Sequence, residues 1–260
     1  MMMKTRGGSL LRIIALAGIS WLAAGYGVAR AESAPPADHI EAGILIESAP
    51  PFVFKENGQF KGITYDILKT IAARRHFRIA QDPMGFDAMI PAMQSSQIDV
   101  AVAGFFVTPE RKKIIDFSTP FFQEGSVLVV PVNSPIKRYA DLEGKVVVTQ
   151  QGSAALNVLN KLAPQYHITV KALADQANIL LTLQSGNADA AFYDSAIIEY
   201  LIAKQGKHPS LRTVGDVRDP TDIAFALPKG SKWTPLLSDE ITAMKKSGEL
   251  KTIIGRYIKD

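Results

Sequence analysis

From residue 40 onward, short β-branched and apolar runs alternate with longer amphipathic stretches. IEAGILI (40–46) predicts a strand, TYDILKTIAARRH (64–76) a helix with Ile67, Leu68 and Ile71 on one face, and FRIA (77–80) a second strand. DAMIPAMQS (87–95) predicts a helix that tolerates Pro91 in its first turn, where the missing N–H has no intrahelical partner in any case. IDVAVAG (98–104) follows as a strand apolar on both faces, as in a covered parallel sheet. The series then restarts. KVVVT (145–149), ITVKA (168–172) and ADAAFYD (188–194) predict strands; SAALNVLNKLA (153–163), DQANILLTLQS (175–185) and SAIIEYLIAKQ (195–205) predict helices.

Each series is a βαβαβ unit, and their third strands carry the same signature: MQSSQIDVAVAG (93–104) and LQSGNADAAFYD (183–194). The chain is therefore expected to be α/β, with two lobes of similar topology. Ligands of open α/β sheets sit beyond the carboxyl ends of the strands, and those ends are Gly104 in one unit and Asp194 in the other. The extended segments GSVLVVP (125–131) and DIAFALP (222–228) bracket the second series. Read as strands crossing between lobes, they make residues 38–126 and 222–260 one lobe and 127–221 the other. A double crossover is a hinge, and two lobes on a hinge enclose a cleft.

The first 31 residues stand apart. Lys4, Arg6 and Arg12 precede an apolar stretch from Ile13 to Ala24, and Ala29-Arg30-Ala31 offers a small-x-small cleavage pattern, so residues 1–31 are read as an export signal. About twelve apolar residues are too few to span a bilayer, which takes about twenty. Removing Lys4, Arg6, Arg12 and Arg30 from the 29 basic residues leaves 25 against 25 acidic ones. The surplus charge belongs to the signal and gives no support to nucleic-acid binding. The chain has no cysteine, which excludes disulfides and thiol chemistry. ESAPPADH (32–39) reads as a leader.

Enzyme signatures are absent. The four histidines have no metal-ligand spacing, and no zinc-protease, nucleophile-elbow or phosphate-loop motif occurs, so no catalytic, metal or cofactor site is expected. TPERKK (108–113) is more informative: Thr108 suits an N-cap, Pro109 the first helical position, and Arg111 brings a planar fork that matches a carboxylate. A solvated helix face pairing Arg111 with a nearby acid is the alternative. Asp194, after Phe192 and Tyr193, ends a buried strand and faces the crevice; capping the helix from Ser195 is a compatible second role. A cation on one lobe opposite an anion on the other fits a small zwitterion.

At this point a resemblance can be named. PPFVFKENGQFKGITYDILKTIA, FDAMIPAMQSSQIDVAVAG, TPERKKIIDFSTPFF, DLEGKVVVTQQGSAA, LQSGNADAAFYDSA and IAFALPKGS, in this order, resemble the bacterial extracellular solute-binding proteins of family 3, the polar amino-acid binding proteins of ABC importers. The resemblance implies a type II periplasmic-binding-protein fold, a monomer in the periplasm, an amino-acid-class ligand, an inner-membrane permease as partner, and no cofactor. It implies that Arg111 clamps the ligand carboxylate with backbone amides near Gly104 and Phe106 and in the turn at Gly152, Ser153 and Ala154. Asp194 takes the ammonium, Phe52 and Phe86 wall the pocket, and Gln150 and Tyr193 touch the ligand side chain.

The chain departs from the family pattern where Phe106 replaces a hydroxyl residue, where Asp222 replaces a glycine, and in a loop one residue short that leaves the register of Glu47 open. Glu47 and Asp222, if both face the cleft, favour a polar or cationic side chain. Two other functions fit the same fold: a cyclohexadienyl dehydratase with Glu47 or Asp222 as acid, and a ligand-sensing module that docks on a receptor.

Overall fold

A computed structural model describes residues 38–258, so the expected export signal lies outside the described residues. The first unit opens with β1 (His39–Leu45), which takes in His39 from the expected leader, and a hairpin of β2 (Phe54–Glu56) and β3 (Gln59–Lys61). Helix α1 (Ile63–Arg75) buries Ile63, Ile67, Leu68 and Ile71, each contributing about 1.5–3 kcal/mol of transfer free energy. It starts at Gly62, whose φ of 119° and whose contact with the Phe52 carbonyl, 2.3 Å from where a Cβ would lie, admit only glycine. β4 (Arg78–Met84), α2 (Met89–Gln94) and β5 (Val100–Val102) complete the unit. Pro91 is the third residue of α2, in its first turn as expected.

β1 runs parallel to β4 and to β5, giving the order β4-β1-β5. After α3 (Pro109–Lys112) and β6 (Ile115–Phe117), β7 (Phe122–Pro131) opens a second five-stranded sheet. There β8 (Val146–Gln150), α4 (Ala154–Tyr166), β9 (Thr169–Leu173), α5 (Gln176–Gln184) and β10 (Ala190–Asp194) repeat the first unit, with order β9-β8-β10. In both units the third strand pairs with the first and the second strand lies outside. A smaller core around Leu128, Val130, Leu159 and Phe192 fills the space under α4.

The sequence alone misplaces one return path. After α6 (Ser195–Lys204), β11 (Leu211–Ile223) runs antiparallel along β7, and β12 (Ala226–Pro228) joins the first sheet between β5 and β6. The expected single strand 222–228 is thus split at Ala224–Phe225. The break arises because the pairing partner changes: Ala224 N–H donates to Phe105 O (3.2 Å) and Phe225 N–H to Ser118 Oγ (3.1 Å). α7 (Trp233–Ser247) and α8 (Glu249–Ile254) then pack on α1, where the buried Glu240 accepts from Arg74 and Arg75. None of the helices among the described residues is long and apolar enough to cross a membrane.

Candidate functional site

The carboxyl ends of the two units meet at Arg111. Thr108 caps α3, its Oγ1 accepting the Arg111 N–H at 3.2 Å, and this turns the side chain inward. Arg111 is 7% exposed, which rules out a solvated helix face. Its Nη1 donates to Phe106 O (2.9 Å) and its Nη2 to Gly152 O (3.0 Å), across from the second unit. The guanidinium lies 4.8 Å from the Phe105 ring centre and 5.6 Å from that of Phe86, and the two rings stack at 4.9 Å. Burial lowers the guanidinium pKa to about 10, opposed by the charge of Asp194, so it remains a cation at neutral pH. A guanidinium has five N–H groups, so bonds to two carbonyls leave it able to grip an anion as well.

Asp194 ends β10 opposite Ser126 of β7 and is half-buried. Desolvation pushes its carboxyl up to about 7, against the pull of Arg111. It occupies the cap position of α6, yet its side chain makes no capping bond. That bond comes from Glu124, whose Oε2 accepts the Ala196 N–H at 2.8 Å from 72 positions away. Glu124 lies two residues before Ser126 on β7, on the same face of the strand as that partner of Asp194. It is 6% exposed, and its Oε1 is buried with no hydrogen-bond partner. Burial first, then the charge of Asp194, holds its pKa well above the ordinary carboxylate range.

A second acidic group forms at Glu47, after β1. Burial first, then the charges of Asp175 and Asp87, raises its pKa, and its Oε2 is buried without a partner. Asp175 caps α5 by accepting the Asn178 N–H at 2.8 Å, and Asp87 follows Phe86. Tyr193 joins this group from β10. It feels the charges of Asp194 and Glu47, and its hydroxyl donates to Gln150 Oε1 at 3.0 Å. Among the described residues, no cluster of three or more His, Cys, Asp or Glu could hold a metal ion.

Most of the residues singled out from the sequence thus converge. Ser153 caps α4, accepting from Leu156 N–H at 3.1 Å and donating to Gln150 O at 2.8 Å, and Ala154 is the helix's first residue. Gly104 stands against the Phe52 ring, 3.1 Å from where a Cβ would lie. Phe52 itself is fully buried against Phe122, so it backs the pocket from the core instead of walling it with open surface. Phe106 presents its carbonyl to Arg111 and bridges to Ile223. Asp222 stays apart: it lies opposite Gln123 on β11, its backbone carbonyl accepts from Val107 N–H, and it is not among the charges that act on Glu47, Asp194 or Arg111. Sequence reasoning missed Phe105, Asp87, Asp175 and Glu124. Asp175 alone had a local signal, as a capping residue before an apolar run.

The model of the bacterial extracellular solute-binding proteins, family 3, matches residues 43–260. The chain belongs to this family. It is 26% identical over 203 residues to the arginine-binding extracellular protein ArtP of Bacillus subtilis, covering 78% of this chain and 80% of ArtP. Among solved structures, an ancestral arginine-binding protein bound to arginine superposes with a TM-score of 0.77 at 34% identity, over 85% of this chain and 98% of that one. The ancestral amino-acid-binding protein AncCDT-1, a precursor of cyclohexadienyl dehydratase, gives the same TM-score at 27% identity, over 85% and 96%. The two-sheet architecture is that of the type II periplasmic binding proteins.

Proposed function

We propose that this family 3 protein is the periplasmic binding component of an ABC importer and carries an amino acid to an inner-membrane permease. The observation that carries the reading is the buried Arg111 opposite Asp194, a cation and an acid at the carboxyl ends of two separate sheets. The ligand carboxylate pairs with Arg111 beside Phe86, with the turn from Gly152 to Ala154 closing over it, and the ammonium takes Asp194. The side chain extends toward Gln150, Tyr193 and the acids Glu47, Asp87 and Asp175, which suit a cationic group. This agrees with the arginine-binding names of ArtP and the ancestral protein. Residues 1–31 are the export signal, residues 38–126 with 222–260 and residues 127–221 are the two moving lobes, and the protein acts as a monomer without covalent chemistry.

A thermal-shift panel of the common amino acids tests this. At a hundred times its dissociation constant a ligand stabilises the fold by about 2.7 kcal/mol, and the largest shift is expected from L-arginine, L-lysine or L-histidine. A panel without any shift would sink the reading. A second activity is favoured by the raised pKa of Glu47, an acid that keeps its proton longer than usual in the cleft, and by the likeness to a dehydratase precursor. Incubation with prephenate, followed by phenylpyruvate absorbance, detects it.

A further inference from the structure

Glu124 has no place in the ligand scheme above, and its environment poses a chemical problem. One oxygen is satisfied by the Ala196 N–H and the other, Oε1, is buried with nothing to accept from. As a carboxylate this side chain would leave an uncompensated buried charge, which is costly. The groups around it add to that cost. From β10 come Asp194 and Tyr193, and from α6 comes Glu199. On β11 its register partner is the neutral Thr221, and Arg218 stands opposite Ser126 with its guanidinium 4.4 Å from the Tyr139 ring centre. A cavity of about 720 Å³ between α6 and β7 also brings Lys204, Arg256 and Tyr257 near. Lys204 lies over the Tyr200 ring and Arg256 reaches Asp66, so neither cation is spent on Glu124. Arg111 is the cation whose charge acts on Asp194, while its hydrogen bonds go to the Phe106 and Gly152 carbonyls.

We propose that Glu124 is a positioning residue of the amine subsite: a neutral carboxylic acid that caps α6 with one oxygen and donates its Oε1–H to Asp194. Two carboxylates cannot bond to each other, but an acid and a carboxylate can, and the proton gives the partnerless oxygen its partner. Charge then balances between Arg111 and the acid pair. Before binding, Arg111 and one net negative charge on the pair cancel. After binding, the ligand adds one carboxylate at Arg111 and one ammonium at Asp194, and the sum over these two subsites is still zero, a cationic side chain facing the separate acids Glu47, Asp87 and Asp175. A second ionised acid would leave the closed site with a surplus negative charge. The high pKa of Glu124 accords with this assignment.

The inference rests on the reading that a ligand amine occupies Asp194, and its test separates the two. Carbon-13 NMR of the ligand-free protein, with labelled glutamate carboxyl groups and Glu124→Gln for assignment, is expected to show the Glu124 carboxyl still protonated at pH 7. Ionisation near pH 4 would overturn the proposal whatever the protein binds. Calorimetry with L-arginine supplies the second readout. Glutamine offers the same carbonyl acceptor and an N–H donor, so Glu124→Gln is expected to bind within about threefold of the parent, while Glu124→Ala loses about tenfold or more. The parent is expected to lose affinity in alkaline solution as Glu124 ionises, beyond any loss seen in Glu124→Gln with the same ligand. Equal weakening of both variants would mean that the negative charge mattered, and no weakening that Glu124 is irrelevant; either result overturns the proposal. If no amino acid binds, the ligand assignment fails, and the NMR titration still decides the state of Glu124.

Discussion

At the scale of single residues, Asp194 separates binding from folding because its side chain forms no capping bond. Asp194→Asn is expected to stay folded, with no capping bond lost, while weakening an amine ligand by about 2–5 kcal/mol, about thirty-fold to several-thousand-fold, in calorimetric titration. Acidity supplies an independent check. A carboxyl raised in the fold from 3.8 to about 7 binds its proton more tightly folded than unfolded. Its stabilising contribution is therefore full below pH 4 and lost as pH rises through 7. The melting temperature of the parent relative to Asp194→Asn is thus expected to fall between pH 4 and pH 7. Ligand affinity runs the other way, rising with pH up to about tenfold per unit below 7 because the ammonium needs the ionised acid. Local rules mark the positions of Arg111 and Asp194, a capped turn and a strand end, but leave their roles open, and the proposed roles come from the family resemblance. Glu124 is not marked at all: a lone glutamate before Gly125 carries no periodicity, and only the pairing of β7 with β10 brings it to Asp194.

Among elements, the two βαβαβ units could be read because their first and third strands are apolar runs buried on both faces and the helices between carry apolar stripes, while the outer strands β4 and β9 are only partly covered. β11 could not. Residues 215–220 of it are exposed, the stretch includes Gly215 and Pro220, and it holds its line only by pairing with β7 through register shifts. The cap of α6 has the same character. Local sequence assigns it to Asp194, and tertiary structure gives it to Glu124. Glu124→Gln keeps an oxygen for the Ala196 N–H and Glu124→Ala does not, so urea denaturation is expected to find the alanine variant less stable than the glutamine variant by about 1 kcal/mol. Equal midpoints and slopes would show that water caps the helix as well as the side chain does.

For the molecule as a whole, the chain passes between the two sheets before Phe122 and after Ile223, and there the backbones of residues 105–107 and 222–224 hydrogen-bond to each other. A pair of short adjacent crossings is what the proposed hinge between two lobes requires. Small-angle scattering is expected to show a smaller radius of gyration with saturating ligand than without it. Identical curves would remove rotation from the mechanism and leave a site that fills without moving.

The bond from Arg111 to the Gly152 carbonyl joins α3 to the turn that follows β8 in the second sheet. If the two lobes part to release the proposed ligand, that bond has to break, so its strength enters the residence time. A hydrogen bond to a charged group contributes about 1.5–3 kcal/mol, enough to slow escape about ten- to a hundred-fold. Its acceptor is main chain and cannot be deleted by changing a side chain, whereas its donor is the arginine proposed to hold the cargo. In the proposed importer, dwell time and grip are therefore coupled at Arg111.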